Sequence, residues 1–105
     1  MIARIWHGYT TPENADAYYQ VLTEEVIPQI ESYNMEGYRK IEVLQRELED
    51  ETEFITIMYF DSLEHIKQFV GDDYEVAHVP EAAQKVLKRW DERSQHYEVT
   101  GSFSY

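Results

Sequence analysis

The side chains best able to move protons near neutral pH in this 105-residue chain are its four histidines, since a free imidazole titrates at about 6.5. His7 follows Ile5-Trp6, and His78 lies between Ala77 and Val79. Each sets a base among apolar neighbours, and both are candidate catalytic residues. His65 lies off an apolar helical stripe and His96 on the polar parity of a strand, so both are expected at the surface. Nine tyrosines supply flat rings that can stack on a planar substrate. Tyr59 and Tyr74 are the candidates to line a pocket, while most of the others are spaced as core or interface residues. Arg4 alternates with His7 onto the other face of its strand, where it is expected to pair with an acid at the sheet or dimer surface. The absence of cysteine excludes disulfides, thiolate nucleophiles and metal–thiolate centres. No His-x-His, His-x-x-x-His or helical carboxylate triplet occurs, so no metal site is expected.

These residues need elements to position them. Residues 2–9 read as a strand that runs into a helix start, where Thr10 and Glu13 have capping-box spacing and Pro12 suits the first turn. Ala15, Tyr18, Tyr19, Leu22 and Val26 then recur at helical spacing, and the helix is expected to weaken before Pro28. Residues 38–48 alternate as a half-exposed strand, with Ile41 and Val43 on one parity and Tyr38, Leu44 and Leu48 on the other. A charged turn at 49–53 leads into an apolar central strand, 54–60. Asp61 or Ser62 caps a second helix with Leu63, Ile66, Phe69 and Val70 inward, which Gly71 ends. Pro80 opens a third helix with Ala83, Val86, Leu87 and Trp90 on its inner face. A closing strand spans 93–100, with Tyr97 and Val99 on the apolar side.

The order β-α-β-β-α-(α)-β is the ferredoxin-like α+β pattern with an extra short helix, an antiparallel sheet carrying its helices on one face. Both parities of the first and third strands are apolar, so the uncovered sheet face is expected to meet a second copy in a homodimer. The length allows one domain, residues 1–100, followed by a short tail, 101–105. Charge narrows the partners further. Nine Lys and Arg against 21 Asp and Glu leave a net charge of −12, with no basic cluster for a phosphate backbone or an anionic membrane surface. Neither nucleic acid nor membrane is an expected partner, and the start of the chain does not read as a signal peptide, so a cytoplasmic location is expected.

Ile2-Ala3-Arg4-Ile5-Trp6-His7-Gly8, Tyr59-Phe60-Asp61-Ser62-Leu63-Glu64, the Gly71-Asp72-Asp73 loop and His96-Tyr97-Glu98-Val99 together resemble the antibiotic biosynthesis monooxygenase superfamily over about residues 1–100. The resemblance implies a dimeric α+β barrel. It also implies one of two activities, cofactor-independent oxidation of phenols and quinols or haem degradation, or a place among the many members with no assigned activity. Where the haem-degrading branch places an Asn, a Trp and a His ligand, this chain holds His7, Phe69 and, after a one-residue gap, His78. For the phenol-oxidising branch, Trp6, His7 and Tyr59 are the nearest types. The expected function is oxidation of a small aromatic or quinol-like substrate by dioxygen without a cofactor. His7 and His78 would be the bases, and Trp6, Tyr59, Phe69 and Tyr74 would contact the substrate. The alternative is a non-catalytic dimer on the same scaffold that binds a small molecule or haem.

Overall fold

A computed structural model describes residues 1–105. β1 (Ile2–Thr10) runs through the middle of a five-stranded antiparallel sheet, paired on one side with β3 (Thr52–Phe60), which in turn pairs with β2 (Tyr38–Glu47). The other edge of β1 is covered by two short strands in succession, β4 (Arg89–Trp90) and β5 (Gln95–Glu98). Helices α1 (Ala15–Val21), α2 (Ile27–Ser32), α3 (Leu63–Val70) and α4 (Glu81–Gln84) complete the chain. This is the expected ferredoxin-like α+β arrangement, and it builds one core. Phe54, Met58 and Phe60 of β3 meet Tyr18, Leu22, Val26 and Ile30 of the first helical stretch and Ile66 of α3. Tyr18 meets Phe54 edge to face at 4.8 Å.

Local chemistry accounts for most of the elements, and five features depart from expectation. α3 starts where expected, with the Ser62 hydroxyl accepting from the His65 amide, and ends at Gly71, whose φ of +97° favours glycine. The capping box at Thr10 and Glu13 does not form. Thr10 stays in β1, and Thr11 precedes a 3₁₀ turn at Pro12–Asn14 without a side-chain cap bond. The first helix also does not stop at Pro28. A π-turn at Leu22–Val26 widens the backbone just before the proline, so the missing N–H falls in the first turn of α2 and costs little.

The third helix is confined to Glu81–Gln84, and Trp90 lies in β4 instead. Here β1 wins the competition: its free edge accepts from Lys88 at Tyr9 and from Asp91 at His7, which draws residues 88–91 into extended form. In β5 the parity is reversed from expectation. His96 turns toward the helices opposite Arg4, and Tyr97 lies outside with 59% of its surface exposed. A register irregularity between Tyr38 and Lys40 similarly brings Tyr38 onto the inner face, its ring 5.3 Å from Phe60.

Candidate active site

Alternation along β1 decides the site. Its even-numbered residues face the helices and its odd-numbered residues face away, so Arg4 and Trp6 line the space between the layers. Opposite them stand Tyr18, Leu22, Val26 and Ile30. The irregular segment after α3 closes the side with His78, Val79 and Pro80. The result is a largely apolar cavity of about 40 Å³, room for roughly three waters, open to solvent on one side.

Trp6 is held in place by two contacts. Its indole nitrogen donates to the Asp91 carbonyl at 2.8 Å, and its six-membered ring lies over Gly8, where a Cβ would come within 2.4 Å of a ring carbon. Gly8 is thus what allows the indole to lie flat along the strand. Phe69 stacks near Phe60 and meets the His78 ring at 5.0 Å. His78 sits at the mouth, partly open to solvent. Partial burial first, and the nearby Arg4 charge second, push its pKa below the ordinary value, so it is a neutral base at pH 7.

Arg4 does not sit at the surface with an acid, as expected, but is buried with 3% of its surface exposed. It pins the irregular segment to the sheet by donating to the carbonyls of Tyr74 at 2.5 Å and Val76 at 2.7 Å. It also meets His96 Nε2 at 2.9 Å. A guanidinium only donates, so Nε2 must be the acceptor and the proton of His96 lies on Nδ1, a buried atom without a partner. Burial, followed by repulsion from Arg4, pushes the His96 pKa down to about 4. Burial lowers Arg4 itself to about 10, which leaves it charged.

Of the six residues expected at the site, Trp6, Phe69 and His78 meet in this cavity. His7 and Tyr59 do not, because both lie on the far face of the sheet. There His7 Nδ1 is 3.2 Å from Asp91 Oδ2, and the Tyr59 hydroxyl donates to Glu42 at 2.8 Å. Trp6 and His7 are sequence neighbours on a strand and cannot share a cavity. Tyr74 lies behind the wall, its carbonyl on Arg4 and its ring 5.1 Å from His96. The reading of the sequence missed Arg4 and Ser94 as lining residues and His96 as the partner of Arg4. The one available signal for Arg4 was its shared parity with Trp6. No group of three or more His, Asp or Glu side chains converges as metal ligands would. A cavity of about 40 Å³ beside His78 does not fit a porphyrin.

The fold is α+β, with a largely apolar cavity between the sheet and the helices. Residues 1–79 match the family model for antibiotic biosynthesis monooxygenase, three-quarters of the chain, and the chain belongs to that family. Its fold is similar to the crystal structure of a Bacillus cereus protein described under the same family name. That likeness has a TM-score of 0.69 at 16% identity and covers 99% of this chain and 97% of the other. No curated protein matches the sequence. No helix is long and apolar enough to cross a membrane.

Proposed function

We propose that this protein is a monooxygenase that oxidises a small phenolic substrate with dioxygen in the cavity beneath α1 and α2, with His78 as the base. The observation that carries the reading is a neutral imidazole at the mouth of a largely apolar cavity floored by Trp6 and walled by Phe69. In this scheme His78 takes the phenolic proton, and the phenolate passes one electron to dioxygen. The radical pair joins at a ring carbon bearing hydrogen; that hydrogen and the distal peroxide oxygen leave together as hydroxide, O–O cleavage giving the quinone, and the hydroxide takes the His78 proton to become water. Phenol plus dioxygen thus becomes quinone plus water; the substrate supplies all the electrons, and the proton held on His78 leaves with the water. The apolar walls keep bulk water from the radical pair. The space is tight even for one ring, which would lie partly in the open side of the cavity beside His78.

The same proposal includes a homodimer joined through the sheet face opposite the cavity. Ile5, Ile55 and Ile57 form an apolar strip there, flanked by Leu44, 45% exposed, and by Tyr97. The oxidation is tested by oxygen consumption with a panel of monocyclic hydroquinones and phenols. Uptake that falls at least about a hundredfold in His78→Ala, with folding retained, is the expected result for loss of a general base. Uptake unchanged in that variant, or absent across the panel, removes the assignment.

A further inference from the structure

Of the five arginines, four lie at the surface and each pairs with a carboxylate: Arg39 with Asp61, Arg46 with Glu53, Arg89 with Glu51 and Arg93 with Asp73. Arg4, the buried one, has no carboxylate partner. This inverts the usual order, since a buried charge ordinarily requires pairing far more than an exposed one. It is the more pointed in a chain with 21 acids, none of which lines the cavity. Carbonyls and a neutral imidazole satisfy part of the guanidinium but cancel none of its charge. They engage three of its five N–H groups, leaving the Nε–H and one Nη2–H.

Two neutral hydroxyls stand on the same side of the cavity. Ser94 and Thr56 are buried and line the cavity with Arg4, and neither hydroxyl has a protein partner. Neither oxygen is among the fully enclosed polar atoms left unpaired, which are Thr10 Oγ1 and His96 Nδ1, so both open onto the hollow. The interior therefore offers a cation and two hydroxyl donors, with apolar walls on the remaining sides.

We infer that Arg4 is an anion-recognition residue and that the ligand of this cavity bears a carboxylate, seated on the free Nε and Nη2 donors of Arg4 with Ser94 and Thr56 beside it. A planar carboxylate matches the fork of a guanidinium, whereas a hydrated tetrahedral dianion would leave oxygens facing apolar walls. The cavity's narrow interior limits the acid to one with a single small ring or a short chain. The inference rests on this cavity being the ligand site, as the monooxygenase reading does. It adds that the substrate is an aromatic acid held with its carboxylate inward at Arg4 and its ring toward His78.

The test uses the whole chain with benzoate and its uncharged isostere benzamide. Affinity is measured by titration calorimetry, and the Arg4 Nε–H resonance is followed by ¹⁵N NMR. Benzoate should bind about tenfold more tightly than benzamide, or better, as a charge-assisted pair requires. It should also move the Arg4 signal, and benzamide should not. In Arg4→Gln, which retains a neutral donor toward the Tyr74 and Val76 carbonyls, the preference should shrink to about twofold or less. Equal affinities, no binding of either compound, or saturation by benzoate with the Arg4 signal unmoved overturns the inference. The NMR arm on the unaltered protein decides it even if the variant fails to fold. Benzoate has no oxidisable phenol, so binding is read apart from turnover. Oxygen uptake lost in His78→Ala alongside equal affinities for the two probes would sink the carboxylate and spare the oxidation.

Discussion

Replacing Gly8 with alanine tests the geometry that builds the cavity floor. The added Cβ would lie 2.4 and 2.8 Å from two carbons of the Trp6 ring, more than 0.5 Å inside ordinary carbon contact of about 3.5–4.0 Å. The ring cannot yield cheaply. It is 8% exposed, its nitrogen is bonded to the Asp91 carbonyl, and the narrow space beside it holds only about 40 Å³. Overpacking of this kind costs about 1–3 kcal/mol. Breaking the indole hydrogen bond adds about 1 kcal/mol. Alanine returns roughly 0.5–1 kcal/mol by restricting the unfolded chain. The net loss is about 2 kcal/mol, which for a domain of this size lowers the Tm by on the order of 10 °C. Thermal unfolding is to be compared at one fixed protein concentration, with tryptophan emission as a second readout of ring displacement. In a Trp6→Phe background the clash is relieved, so the same substitution should cost less than about 0.5 kcal/mol, a coupling expected only of touching residues. A single variant as stable as the parent with unchanged emission would refute the placement of the indole over Gly8. An equal loss in both backgrounds would do the same.

Three further outcomes follow from particular residues. Because the His96 pKa is lowered to about 4, the unfolded chain binds a proton there at a higher pH than the folded one. Stability should therefore fall as the pH drops from about 6.5 to about 4, by at most about 3 kcal/mol and less for a ring only partly buried. Urea midpoints across that window, shallower in His96→Gln, are the measurement, and parallel curves for the two proteins would count against it. Ile57→Lys, on the open sheet face, should convert a dimer to a folded protomer, read by sedimentation; a parent that sediments as a protomer ends that expectation. Truncating Ile66, fully buried under α3, should cost about 2–5 kcal/mol by chemical denaturation, whereas a loss below 1 kcal/mol would show that the site is less tightly packed than described.

Where periodicity was strong, the elements could be read directly. Ile66 and Phe69 on α3, the Ser62 cap, the Gly71 stop and the apolar run of β3 are each local signals, and the structure places each as read. Where two local rules competed, the reading failed. The helical spacing of Ala83, Val86, Leu87 and Trp90 lost to the unpaired edge of β1, and the breaking tendency of Pro28 was absorbed by a π-turn. In the cavity lining, Trp6, Phe69 and His78 were legible as residue types in apolar settings. His7 and Tyr59 were misplaced because both parities of β1 and β3 carry large side chains, so no alternation indicates which face the helices cover.

Residue order along the chain was enough to dictate the α+β pattern, the acidic surface, the lack of thiol chemistry and an imidazole among apolar neighbours at His78, because these depend on composition and on neighbours within a few positions. The facing of β1 was settled only when the sheet met its helices. That packing step buried Arg4 beside His96 and sent His7 to the far side. It also brought residues 74–80 across the sheet to close a cavity, through contacts between positions some 70 to 90 apart. Side-chain direction on a strand is a two-way choice resolved by which face sheds more apolar surface from water, and that sum runs over the whole molecule.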